Sequence, residues 1–389
     1  MRSQLAILAT AALLAVAAFA VIGWPASLFV DHDFVQYWLA GRALLAGQDP
    51  YDPALWRALH EQVRSNGSEI APGAGFLYPV LTAVAVVPFS VLPFSLAAGA
   101  WFVALIASAV AGIVALGTRL YVARPRWDLA VLLSFAAVIR PDFVLPIDGN
   151  ITGFLVGIVG GSIALLLDRR PFAAGALLGL GVVKPHLLLV FVPALFLFVA
   201  SRDRPRLVGG AAATVGALLA TSLALAPRWI GEWSAEAERI GTYARTNVWG
   251  VAPPEIAWPI AAGLVAVLIA WWRLAHPSLP VASGSALSVS LLLAPYAFMI
   301  DQAVLLVGVA AFVGLVQHLA PVPRNALLLA LVAVASPWYM PLLVGVLPIN
   351  ILRLVPAITV LTLIVVVQAA HALRLSGPAR VAAEASSTS

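Results

Sequence analysis

The stretch DHDFVQYWLAGRALLAGQDPY, residues 31–51, decides how the rest of the chain is laid out. It follows the first hydrophobic segment directly and opens the longest polar interval before the next one. From Asp33 the pattern turns helical. Phe34, Val35, Trp38, Leu39 and Leu45 form an apolar stripe, and Asp33, Gln36 and Tyr37 fall at i, i+3, i+4 on the other face. Such a helix is expected to lie in a membrane interface, apolar side down, with Asp33 held where lipid meets water. Asp31 or Asp33 could instead serve only as a helix N-cap, a role that explains one aspartate more easily than two.

The 389 residues around this stretch are 62% hydrophobic and 10% charged, with a mean hydropathy of +1.01. Apolar runs long enough to cross a bilayer recur from end to end, which excludes a soluble domain. The expected fold class is all-α: a polytopic transmembrane helical bundle with amphipathic interfacial helices in its first external loop. Without cysteine there are neither disulfides nor thiolate metal sites, and the six histidines lack ligand spacing. No cofactor is expected; a divalent ion at Asp31 and Asp33 is the less favoured alternative. The net charge of +5 sits mostly in short loops, where it reads as an orientation signal and not as a nucleic-acid footprint.

Segment one runs from about Leu5 to Ile22, with Arg2 placing the N-terminus in the cytoplasm. The small-residue pattern at Ala18–Ala20 resembles a signal cleavage site, but with so many later spans an uncleaved helix is expected. Residues 28–75 form the first external loop, with a turn at Gly47–Pro50 and a second helix capped by Asp52 with Pro53 at its first position. Apolar segments follow near 77–92, 94–118, 128–139, 151–167, 172–200, 207–226, 257–272, 283–300, 302–317, 325–345 and 348–371. Arginine-rich loops at 119–126, 168–170, 202–206, 273–276 and 318–324 are assigned to the cytoplasm, and residues 227–255 to a second external loop. One membrane-embedded domain, 1–375, and a disordered cytoplasmic tail, 376–389, complete the layout. The alternation does not close in the first half. If 77–92 and 94–118 both span, the Arg119–Arg126 loop is forced outside. Residues 172–200 read either as a hairpin or as one helix kinked at Pro185.

Polar residues inside apolar segments are expensive, so each is a functional candidate. Of the 22 basic residues, 21 are arginine, and the single lysine, Lys184, lies in the apolar stretch GVVKPHLLL. It could snorkel to the interface; a compact ammonium meeting one phosphate explains better why it is not arginine. His186 follows two residues on. Arg140, Asp142 and Asp148 occupy the proline-broken run RPDFVLPIDGN, where irregular backbone is tolerated if it lines a cavity. Asn150 caps the next helix or faces that cavity. Asp301 faces a cavity or marks a tight external turn. Tyr78-Pro79 stands at the rim of the first loop. Trp229, Trp233, Tyr243 and Trp249 in the second loop read as an interfacial belt.

Together these stretches resemble glycosyltransferase family 87, membrane enzymes of the GT-C fold. The matching residues are DFVQY at 33–37 with Ala40, Leu44-Leu45 and GQDPY at 47–51; FLYP at 76–79 with VLP at 91–93; GNIT at 149–152; AGALLGLGVVKP at 174–185; and LAPYAFMID at 293–301. The family pattern commonly carries glutamine after the glycine of the third motif, where this chain has Asn150. The resemblance implies transfer of a sugar, typically mannose, from a polyprenyl-phosphate donor to a glycolipid or glycan acceptor. It places that reaction on the outer face of the cytoplasmic membrane, with Asp33 as the acidic residue that acts as base.

Elementary chemistry asks for the same parts. A base must take the acceptor hydroxyl proton as the sugar–phosphate bond breaks, and the departing phosphate needs a cation in a site of low dielectric. The expected roles are Asp33 as base with Asp31 orienting it, and Lys184, Arg140 and His186 on the donor phosphate. Gln36, Tyr37, Tyr51, Tyr78, Asn150 and Asp301 are expected to line the substrate site, in an inverting transfer among membrane lipids. The runner-up is a multispanning transporter or flippase of a lipid-linked or anionic substrate, using the same intramembrane charges as a path. The lack of an internal repeat weighs against it.

Overall fold

The protein is described here by a computed structural model covering residues 33–63, 76–121, 128–130, 132–133, 148–240, 247–317, 319–335 and 354–375. All its elements in these ranges are helical. They are α1 (Asp33–Leu45), α2 (Pro53–Val63), α3 (Val80–Ser90), α4 (Phe94–Leu120), α5 (Thr152–Leu167), α6 (Pro171–Gly179) and α7 (Phe191–Phe198). Then follow α8 (Arg204–Leu225), α9 (Trp229–Ile240), α10 (Val248–Val251), α11 (Pro254–Ala275), α12 (Leu279–Leu293), α13 (Leu306–Val316), α14 (Pro321–Ala335) and α15 (Val355–Leu375). Tight 3-10 turns at Leu180–Val183, Pro185–Leu188 and Met299–Leu305 interrupt the series. Arg140, Asp31, the 67–75 run and the 376–389 tail lie outside the described residues.

Among the described residues, four stretches are long and apolar enough to cross a membrane: α4, α8, α11, and Met299–Val316, which joins the last 3-10 turn to α13. At the centre stands α12, buried at every residue from Pro280 to Leu293. It packs against α7, α11, α13 and α15. At the margin, α8 and α11 turn Val208, Leu223, Trp258, Val267 and Leu274 outward. Apolar side chains facing out along helices of this length belong against lipid.

The first half resolves through α3. Its 11 residues rise only about 16 Å, half of a hydrocarbon core of about 30 Å, so the segment expected at 77–92 does not span. It runs beside α1, where Trp38 Nε1 donates to the Leu92 carbonyl at 3.1 Å. Phe94 at the start of α4 stacks on Phe34 with centroids 6.0 Å apart, so the Asp33 helix and Arg119 sit at opposite ends of α4. Arg119 in turn pairs with Asp168 at the end of α5, and Trp101 Nε1 near the start of α4 donates to the Gly149 carbonyl at 2.7 Å. These helices therefore run parallel, with Arg119 and the 168–170 loop together at one end. This is the arrangement that the charge pattern required and the span count denied.

Two further expectations change. α1 does not rest on a surface: every residue from Phe34 to Leu44 except Gln36 and Arg42 is buried. Its apolar stripe is backed by α3 and α4, and small residues let a neighbour cover the other side, with Gly41 against Ser90. By contrast α2 is one-sided as read, with Trp56 buried and Arg57 exposed. Asp52 accepts from Ala54 N at 2.8 Å, as the expected cap. The stretch 172–200 is neither one kinked helix nor two plain ones. Two 3-10 turns meet at Lys184, whose non-helical backbone (φ −145°, ψ 62°) breaks the helix; α6 packs on α8 while α7 packs on α12.

Close helix pairs use glycine where a side chain has no room. Gly157 Cα lies 2.6 Å from where a methyl on Gly112 would stand, which locks α4 to α5. On α8, a methyl at Gly210 would fall on the Phe172 carbonyl of α6, whereas Gly216 on the same helix has open space. Such small-residue seams drive helix association in lipid, where apolar burial alone does not. Gly210→Ala is expected to cost about 1–3 kcal/mol by overpacking and to lower the unfolding temperature in detergent, while Gly216→Ala leaves it unchanged. Equal melting of both variants would show that the seam is not needed.

Candidate active site

The local sequence GNIT builds the site. Gly149 takes a left-handed backbone (φ 67°) and abuts Phe34, so only glycine fits between α1 and the start of α5. The turn aims the Asn150 side chain back into the bundle. Its Oδ1 accepts from Thr152 N at 2.9 Å and from Lys184 Nζ at 3.1 Å. Its Nδ2 donates to Asp33 Oδ2. Thr152 Oγ1 lies 2.7 Å from the same Asn150 oxygen and 2.8 Å from Asp301 Oδ1. Lys184 also donates to Thr152 Oγ1 at 3.0 Å and pairs with Asp301. The other Asp301 oxygen accepts from Phe298 N at 2.9 Å.

The result is a continuous polar chain through an apolar bundle: Asp301, Lys184, Thr152, Asn150 and Asp33. Its inner members are sealed, with Lys184 at 2% and Asp301 at 0% exposure. Only Asp33 keeps contact with the outside. Tyr78 donates to Asp33 Oδ1 at 3.0 Å, and its ring meets Tyr37 edge-on with centroids 4.8 Å apart. Burial pushes the Asp33 carboxyl above its ordinary value; the Lys184 charge and the hydrogen bonds from Asn150 and Tyr78 pull the other way, and Asp148 adds to the rise.

Asp33, Tyr37, Tyr78, Asn150, Lys184 and Asp301, scattered over nearly 270 positions of sequence, thus meet in one place. Tyr51 supports the rim, its hydroxyl donating to the Tyr78 carbonyl at 2.7 Å. His186 packs at a tilt against Tyr296 with centroids 4.0 Å apart, and its Nε2 is buried without a hydrogen-bond partner. Gln36 Oε1 is likewise buried and unpartnered. Lys184 neither snorkels nor reaches open space: an ammonium has three N–H groups, and Asn150, Thr152 and Asp301 occupy them. Asp301 is no external turn but the counter-ion of Lys184. Asp31 and Arg140 lie outside the described residues. In the second loop, Trp229 is buried and Trp249 Nε1 donates to the Leu293 carbonyl at 3.0 Å, so these rings pack inward; Tyr243 lies outside the described residues. Thr152 is the residue that reading for charge passed over; its signal was its place beside Asn150 in the GNIT motif.

Next to this chain lies an apolar cavity of about 470 Å³ between α3, α4, α5, α6 and α8. Two of its lining residues, Ile151 and Val183, are chain neighbours of Asn150, Thr152 and Lys184. Others, Ala85, Ala111 and Leu180, are exposed. The size is that of a ligand pocket. Its lining suits hydrocarbon.

The model of glycosyltransferase family 87 matches residues 76–337. No curated protein and no solved structure matches. The matched range holds Tyr78, Asn150, Thr152, Lys184, His186 and Asp301; Asp33 precedes it and joins them through the fold.

Breaking a buried ion pair from one side is expected to cost about 3–5 kcal/mol, because the partner is left charged and dry. Lys184→Met alone should therefore lower the unfolding temperature sharply, and Lys184→Met/Asp301→Asn should restore most of it. A single variant as stable as wild type would show that the pair is not both buried and charged.

Proposed function

The chain belongs to glycosyltransferase family 87, which makes it a membrane glycosyltransferase, and from that premise we propose that it transfers a hexose, mannose in the first instance, from a polyprenyl-phosphate sugar to a lipid or glycan acceptor. The acceptor hydroxyl oxygen attacks the anomeric carbon from the face opposite the phosphate. Its proton passes to Asp33, and the bond from the anomeric carbon to the phosphate oxygen breaks with its electron pair going to the phosphate. The product is inverted at that carbon.

What supports this most is Asp33 itself. It is the only open end of a sealed polar chain, and both its oxygens are oriented by donors, Tyr78 and Asn150. Each carboxylate oxygen has a second lone pair left for a proton. The apolar cavity beside Ile151 and Val183 is suited to the first isoprene units of the donor, and His186, whose Nε2 is buried without a hydrogen-bond partner, is a candidate partner for its phosphate. Arg140 remains a candidate cation for that phosphate. With the arginine-rich loops in the cytoplasm, Asp33 at the other end of α4 faces the exterior of the inner membrane, where a cell-envelope glycan would be built.

Purified protein in lipid, given labelled polyprenyl-phosphate mannose and a glycolipid extract, should move label to a new product. Asp33→Asn should cut that transfer by about 10²–10⁴-fold, the usual worth of a general base, without loss of fold; normal turnover by this variant would sink the role. Because Asp33 acts ionised and sits above its ordinary 3.8, wild-type kcat/KM should rise with pH through a value higher than that. Ala111→Phe, which narrows the cavity mouth, should raise KM about tenfold for a long-chain donor by displacing about two buried methylenes at about 0.8 kcal/mol each. It should spare a donor with a short tail; equal effects on both would remove the lipid from this cavity.

A further inference from the structure

Lys184 presents a difficulty for any role at the substrate. It is the only lysine in the chain, it is 2% exposed, and every N–H it has is engaged. The geometry shows what it is engaged in. Asn150 Oδ1 receives two groups that can only donate, Thr152 N and Lys184 Nζ. The atom there must be the amide oxygen, so the NH₂ end is left facing Asp33. A planar amide cannot turn one end without the other. Whatever grips the oxygen aims the NH₂ group.

We propose that Lys184 is a positioning residue for the base: it acts on Asp33 through the Asn150 amide, and Thr152 and Asp301 hold Lys184 in that role. The inference rests on Asp33 being the base. Asp301 supplies the counter-charge that lets an ammonium stay buried, and Thr152 bridges the pair to Asn150 by accepting from Lys184 and donating onward. The neutral amide keeps two charges of opposite sign from meeting. A direct Lys184–Asp33 bridge would hold the carboxylate as a salt and blunt it; through Asn150 the cation orients it and leaves it able to take a proton. Among the described residues, the other titratable groups facing Asp33 are Tyr78, Tyr37 and Asp148.

The test is kcat/KM against pH, with donor KM, for wild type, Asn150→Ala, Thr152→Val, Thr152→Ser and Lys184→Met/Asp301→Asn. Losing the amide or the cation should move the acid limb up by about one pH unit, since both favour the ionised carboxylate, with donor KM within twofold of wild type. Thr152→Ser keeps the hydroxyl and should keep the wild-type profile, while Thr152→Val should follow Asn150→Ala. An acid limb that stays put while donor KM rises tenfold in the pair variant would overturn the proposal, make Lys184 a donor ligand and leave Asp33 as base. Turnover by Asp33→Asn would remove the base and the relay together. If the pair variant does not fold, the Asn150 and Thr152 variants decide alone.

Discussion

The Lys184–Asp301 pair is the constraint around which the bundle is arranged. An ammonium and a carboxylate taken out of water each lose several kcal/mol of hydration, and only close contact with every remaining polar group satisfied makes the exchange tolerable. The fold meets that demand by breaking helices where the pair stands. Two 3-10 turns converge on Lys184, and another carries Asp301 with its second oxygen on Phe298 N. Irregular backbone is admissible at such depth only where protein covers it. Here α12, buried along its length, supplies cover and uses Ser290 Oγ to receive Val190 N and Phe191 N at the start of α7.

Much of the site was legible because polar residues in an apolar chain are few. Lys184 stood out by type, Asp301 and Asn150 by position, and Asp33 by the helix it begins. The pairing of Lys184 with Asp301 was not legible, since 117 positions separate them and neither motif names the other. The same holds for Thr152, an uncharged residue whose importance comes from touching three partners at once. Helix periodicity misled at α1. A stripe of Phe34, Val35, Trp38 and Leu39 looks one-sided, but Ala40, Gly41 and Ala43 are small enough for neighbours to bury the rest. Hydropathy misled at α3, because an apolar run of sixteen residues looks like a short span until Pro79 and Val91 cut the helix to 11. The charge pattern carried the truer message there, since loop arginines report on sidedness whatever the helices between them do.

The turn at Gly149–Thr152 is where the apolar cavity and the polar chain ending at Asp33 are joined. Asn150 holds Asp33, Ile151 lines the apolar cavity, and Ile151 N approaches the Tyr37 hydroxyl at 3.5 Å. Trp101, another lining residue, grips the Gly149 carbonyl and packs on Phe34, the residue after Asp33. Under the proposed function, a lipid tail seated in the cavity would press on Ile151 and Trp101, next to the residues that hold Asp33. Remote binding energy can then be used to fix geometry at the reacting atoms, which is how contacts far from the chemistry come to raise kcat and not only affinity. Filling the cavity and orienting the carboxylate are, in this architecture, two consequences of one turn, and the left-handed glycine at its start is what lets that turn lie against α1.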